Sequence, residues 1–297
     1  MIYFTLPNFV ENFQLHNLLY STIRKFRKDL RYSDIYLNAQ SGSFPYCSWN
    51  GDINNNVGNG CYYPEFLNVQ LGSGICTRLN CANVFLEDYD INDNMGQEIL
   101  KIFDDGSTTI EVSSIPFMEQ IAEQYPSYRF HFSKYADLIT PFTPELLNEI
   151  AASEKFISIG IPDKYSRDFE WLSQLKKKRM YEITLDSICP VNCVNFNQCY
   201  LKEQANQLQY SGASLIFGCN KAMPYYNNPN IINLDTIVKE YLPKGFNHFT
   251  FSTCYNGTAL DRINFFVEYF FKPEAWETVK TDMLVEFNKG GGLSNNG

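Results

Sequence analysis

Apolar and polar positions along the chain alternate between two periods. Runs with period two read as strands, and runs with apolar residues at i, i+3, i+4 and i+7 read as helices. "IYFTL" (2–6) is strand-like, and "FVENFQLHNLLYSTIRKF" (9–26) is helix-like. "DIYLNA" (34–39) predicts a second strand and "GICTRLN" (74–80) a third, with a Gly- and Asn-rich polar stretch between them. "NDNMGQEILKIF" (92–103) predicts a helix capped by Asn92 or Asp93. From there strand and helix alternate regularly: strands over 108–114, 128–133, 156–161 and 180–186, and helices over 115–125, 143–153 and 166–178. Thr143 followed by Pro144 is the expected start of a helix, cap then first turn. A helix over 233–243 ending at Gly245, a strand over 248–253 and a helix over 259–271 complete the series.

Eight strands separated by helical stretches imply parallel βαβ units. Eight such units in a chain of this length predict a single-domain (β/α)8 TIM barrel spanning residues 1–275, with a doubly wound open sheet as runner-up. Residues 276–297 read as a terminal helix remnant followed by a disordered tail, "NKGGGLSNNG". The long connections after strands two and seven are expected at the C-terminal rim, where barrels of this kind hold their sites.

Composition narrows the function classes. The 297 residues are 44% hydrophobic, enough to build a large core without disulfides. A net charge of −9 argues against general nucleic-acid binding, which needs Lys and Arg for the phosphates. The one basic run, "KKKR" (176–179), reads as a solvated helix end. No stretch reaches the ~20 apolar residues of a membrane span, and the N-terminus lacks the features of a signal peptide. A cytoplasmic setting with reduced thiols is the expectation.

"SICPVNCVNFNQCY" (187–200) then stands out, with Cys189, Cys193 and Cys199 spaced C-x3-C-x5-C. Nine cysteines in a reducing setting speak against a full disulfide set, which makes metal binding the leading explanation. A zinc site, an iron–sulfur site and plain buried thiols remain open on spacing alone. Cys47, Cys81, Cys219 and Cys254 also follow strands or lie in the long loops, so they could converge on one rim. No G-x-S-x-G or H-E-x-x-H is present, which disfavours a hydrolase. His16 reads as structural within its helix. His131 is expected at a barrel layer or the rim, and His248 at the stability face. Glu111, Ser133 and Asp186 are candidates for the rim, each with an equally good structural role.

Several stretches together resemble the collagenase-like peptidase superfamily of barrels. "MYEITLDSICPVNCVNFNQCY" is similar to its strand-then-cysteine motif, with Cys199 where many relatives carry His. "SGSFPYCSWNGDINN" (41–55) resembles its F-P-x-x-x-W-N-G-G-R loop, and "YLPKGFNHFTFST" its late G-F-x-x-F-K-I-x-G-R strand. The order of these pieces covers most of residues 1–275. This chain lacks the Gly-Arg pairs and the Pro and Arg after the second cysteine, so it resembles a diverged member. The resemblance implies an iron–sulfur barrel akin to proteins of oxygen-independent hydroxylation, which act on ubiquinone precursors or on RNA bases and in which prephenate is implicated as oxygen source. It implies four cysteines for a [4Fe–4S] cluster: Cys189, Cys193, Cys199 and, from the same excursion, Cys219, with Cys47 and Cys254 as alternates. A small molecule or an RNA is then the expected substrate. The rival readings are a zinc-stabilised or cluster-free binding and assembly protein and, lower, a peptidase.

Overall fold

The computed structural model describes residues 1–43, 47–49, 75–186, 201, 231–251 and 258–289. Eight parallel strands close into a barrel in chain order: β1 (Ile2–Leu6), β2 (Ile35–Gly42), β3 (Cys76–Cys81), β4 (Thr109–Val112), β5 (Arg129–Phe132), β6 (Phe156–Ile161), β7 (Tyr181–Thr184) and β8 (His248–Thr250). Tyr3 opposite His248 closes the ring between β1 and β8. The barrel expectation therefore holds, and the open-sheet alternative does not. The register shifts at two seams. Asn38 is skipped between the Phe4–Leu37 and Thr5–Ala39 pairs. Ile157 is skipped between Phe130–Phe156 and His131–Ser158, which turns its side chain out to solvent at 45% exposure.

The strands read with period two because the two faces of this barrel differ in chemistry. Arg78 on β3 and Thr5 on β1 both bond to Glu182 on β7. Neither strand neighbours β7, so these side chains meet across the barrel interior. Alternation then puts Phe4, Ile110, Val112, Phe130, Phe132, Ile159, Ile161, Ile183 and Phe249 on the outer face, all buried beneath helices. Burying each such side chain contributes about 1.5–3 kcal/mol. The folding energy of the sheet therefore comes from the layer between strands and helices. At the β1–β8 seam this layer is aromatic: Phe4 packs edge-on to Phe270 with centroids 5.1 Å apart, and Phe251 packs on Tyr269 at 5.2 Å.

The outer layer is made by α1 (Phe9–Lys25), α2 (Asn94–Phe103), α3 (Ile115–Gln124), α4 (Pro144–Ala152), α5 (Phe169–Ser173), α6 (Leu234–Thr236), α7 (Ala259–Phe270) and α8 (Trp276–Lys289). Local chemistry starts them. The side chains of Asp93, Ser114, Thr143 and Asp168 accept from the backbone N–H three residues on, and Thr258 forms a capping box with Asp261. Two elements depart from their periodicity. The helix expected over 166–178 is only Phe169–Ser173, because the lysines that follow turn back onto helix ends. Lys177 Nζ donates to the Ala151 carbonyl at 2.9 Å, and Lys178 Nζ to those of Leu172 and Ser173. Two of the basic run's four side chains thus cap α4 and α5. After α6 the chain continues as a π-turn (Ile237–Tyr241) and a 3-10 turn to Gly245, at φ +95°. Pro243 has no N–H to return to Lys239, which ends the α pattern there. The terminal segment forms a full helix, α8, which buries Val279 and Met283.

The segment Cys47–Trp49 fastens the connection after β2 to the outer layer. Trp49 is fully buried, donates Nε1–H to the Asp90 carbonyl at 2.8 Å and packs on Phe117 with centroids 5.1 Å apart. Its ring lies where a Cβ on Gly96 would be, 2.3 Å away. Gly96→Ala is expected to lower stability by about 1–3 kcal/mol through overpacking, and Trp49→Ala by about 3–5 kcal/mol through the cavity. Urea unfolding should show the shift in midpoint at an unchanged slope.

Candidate active site

The interior of the barrel is polar where a barrel of this type usually carries layers of branched aliphatic side chains. The floor of its C-terminal mouth is the ion pair of Arg78 and Glu182. Nη1 donates to Oε1 at 2.7 Å and Nη2 to Oε2 at 3.1 Å, with the two side chains 5% and 3% exposed. Thr5 Oγ1 donates to the same carboxylate at 2.7 Å. Burial alone would push Glu182 up; the charge of Arg78 and the hydrogen bonds from Arg78 and Thr5 outweigh it and hold the carboxyl below its ordinary range. For Arg78 burial acts to lower the pKa and Glu182 more than reverses it. Among the described residues, Arg78 Nε has no hydrogen-bond partner although it is buried.

The wall continues on β4 and β5. Glu111 stands in register with Asn80 on one side and His131 on the other. Ser133 Oγ donates to Glu111 Oε1 at 2.6 Å. Burial raises the Glu111 carboxyl above its ordinary value, against the lowering pull of Arg78 and the Ser133 bond. His131 Nδ1 lies 2.7 Å from Ser158 Oγ, and burial followed by the charge of Arg78 lowers its pKa to about 3, so its imidazole is neutral. Gly160 leaves room for this wall: a Cβ there would come within 3.0 Å of the Lys134 backbone nitrogen and 3.1 Å of His131 Nε2. Lys134, partly exposed, completes the rim. The free space these groups enclose is about 30 Å3, room for one or two waters or a group of that size.

Of the residues expected at the rim from sequence, Glu111, Ser133 and His131 meet here. Asp186 lies buried just past β7, where burial and then its charge raise Tyr269 well above the ordinary phenol value. His248 stands in register with Glu182 and stacks on Tyr3 at 4.7 Å, and burial lowers its pKa. His16 is outside the barrel, buried between α1 and β2 with Nδ1 3.3 Å from Gln40 Oε1, and burial lowers its pKa to about 3. Cys47 and Cys81 sit in the apolar outer layer, their thiols pushed up by burial. Cys81 shares the parity of Leu79, so it faces the helices and not the mouth. Cys189, Cys193, Cys199, Cys219 and Cys254 lie outside the described residues. Among the described residues no three His, Cys, Asp or Glu side chains are grouped to hold a metal ion.

Arg78, Glu182 and Lys134 were not anticipated from sequence. The signal for Arg78 and Glu182 was a charge at an inward position of a strand, "TRLN" and "YEIT", flanked by residues that the helices bury; Lys134 follows β5 in a 3-10 turn and carried no such signal. Comparison of the chain with protein-family models, with curated proteins and with solved structures finds no match.

Two expected outcomes follow from the electrostatics. His16 and His131 are neutral in the fold and take up protons when it unfolds, so stability is retained above pH 6.5 and lost as pH falls from there toward 3. Each contributes up to about 1.4 kcal/mol per pH unit in that window, which urea midpoints measured between neutral and mildly acid pH would read as a slope. Glu182→Gln leaves Arg78 buried without its counter-charge and should cost about 3–5 kcal/mol. The double variant Arg78→Met, Glu182→Leu should cost less than the single one, as a double-mutant cycle would measure.

Proposed function

We propose that the chain is a (β/α)8 enzyme that takes a small polar molecule into the C-terminal mouth of the barrel and modifies it by hydroxylation-like chemistry at an iron–sulfur cluster. The observation that supports the reading best is the polar mouth itself. A buried, hydrogen-bonded ion pair with a raised carboxyl beside it is costly to keep inside a sheet, and perturbed groups of this kind cluster at functional sites.

In this reading Cys189, Cys193, Cys199 and Cys219 hold the [4Fe–4S] cluster, with Cys47 and Cys254 as alternates, after the pattern of the collagenase-like barrels that the chain resembles. The cluster would supply one-electron chemistry. The excursion bearing those first four cysteines leaves and returns beside the mouth: the Ile232 N–H donates to the Leu185 carbonyl at 2.8 Å, just past the end of β7. Glu111, held by Ser133, is the group suited to exchange a proton with a bound molecule, because its raised pKa brings it nearer to neutral pH. Neutral His131, set by Ser158, orients the polar part of the molecule.

Purification under anaerobic conditions tests the reading. The expected result is a brown protein with broad visible absorbance and iron and sulfide in equal amounts. Cys189→Ser with Cys193→Ser should abolish the colour, whereas Cys76→Ser, at an exposed position on β3, should leave it unchanged. A colourless protein containing zinc or no metal, with the thiols of the 187–200 run intact, would favour the binding-protein reading instead.

A further inference from the structure

We infer that the barrel mouth is a receptor for a small monocarboxylate, seated on the unpaired edge of Arg78 and on the Lys134 ammonium, with Glu111 taking up a proton as the ligand binds. The inference rests on the reading of the mouth as a ligand site and names what that site takes.

Glu182 meets Arg78 end-on and uses one N–H from each terminal nitrogen. A guanidinium carries five N–H groups in a fixed plane. The side edge that contains Nε is therefore left unpaired, and Nε is buried with no partner among the described residues. A buried donor left unmade costs free energy that a ligand acceptor would recover. Lys134 lines the same space from the rim and is in no ion pair among those of the described residues. One planar edge and one ammonium offer a match to the two oxygens of a carboxylate. A dianion such as phosphate is disfavoured, because Glu182 and Glu111 both border the space.

Glu111 adds the pH dependence. The charged groups that act on it are Arg78 from β3, Lys134 after β5 and Glu182 from β7, with neutral His131 beside it on β5. A bound anion adds a negative charge to this set and disfavours the ionised form of Glu111 further. Binding then takes up a proton. Affinity is highest where Glu111 is already protonated and weakens by up to about tenfold per pH unit as pH rises through its range.

Calorimetric titration of the full chain with acetate, propionate and, for comparison, inorganic phosphate tests this in two buffers of different ionisation enthalpy. The expected result is binding of the carboxylates, tighter than phosphate, with proton uptake. Lys134→Met should weaken carboxylate binding at least about tenfold. Glu111→Gln, which mimics the protonated acid and keeps an acceptor for Ser133, should bind with no proton uptake and a flat pH profile. Circular dichroism confirms that each variant is folded. No carboxylate binding by the native chain, phosphate binding tighter than carboxylate, an unchanged affinity in Lys134→Met, or an unchanged pH profile in Glu111→Gln would each overturn the inference. The visible absorbance of the same samples separates the two ideas: a coloured protein that binds no carboxylate defeats only this one, and a colourless protein that binds it defeats only the cluster.

Discussion

Everything in the mouth of this barrel depends on one ion pair reaching across it. Arg78 and Glu182 come from strands on different sides of the ring and meet where water has little access. Neither charge is tolerable there alone, since each would carry a desolvation cost of several kcal/mol. Together, and with Thr5 as a third partner, they form a neutral unit that ties β1, β3 and β7. The pair also sets the electrostatics around it. Burial keeps His131 neutral, helped by Arg78 and opposed by Glu182, and the charge of Arg78 restrains the rise that burial imposes on Glu111.

The polar interior changes how the fold is stabilised. In a barrel filled with branched aliphatics, inner and outer layers both contribute hydrophobic burial. Here the outer layer contributes most of it, which is why it is so aromatic around β1, β8 and α7 and why Trp49 is let into a socket opposite Gly96. The interior is released from that task and carries hydrogen bonds that fix side-chain positions.

How far the sequence could be read follows from the same division. Strand and helix existence was legible almost throughout, because outward positions such as Phe4, Ile110, Ile159 and Ile183 alternate with polar ones, and because Asp93, Ser114 and Thr143 mark helix starts. Boundaries were harder. The 166–178 stretch has helical periodicity, yet Lys177 and Lys178 find carbonyls to cap and the helix stops early. The site was legible only in part. Glu111, Ser133 and His131 could be named because they fall at strand ends. Arg78 and Glu182 could not be paired, because their partnership exists only when the ring closes and brings β3 opposite β7. Cys81 was open to misreading for the complementary reason: a strand-end position says nothing of which face the side chain takes, and its parity sends it outward.

The bond between Leu185 and Ile232 gives the barrel a further property. It ties the point where the chain leaves the end of β7 to the point where it comes back. The two ends of the intervening segment are therefore held side by side on the frame. Lengthening such a segment raises its closure entropy only logarithmically, and neither neighbouring strand need shift to accommodate it. Natural variation could therefore rewrite the residues between these two anchors, and exchange one chemistry for another, while the closed ring of strands beneath is inherited unchanged.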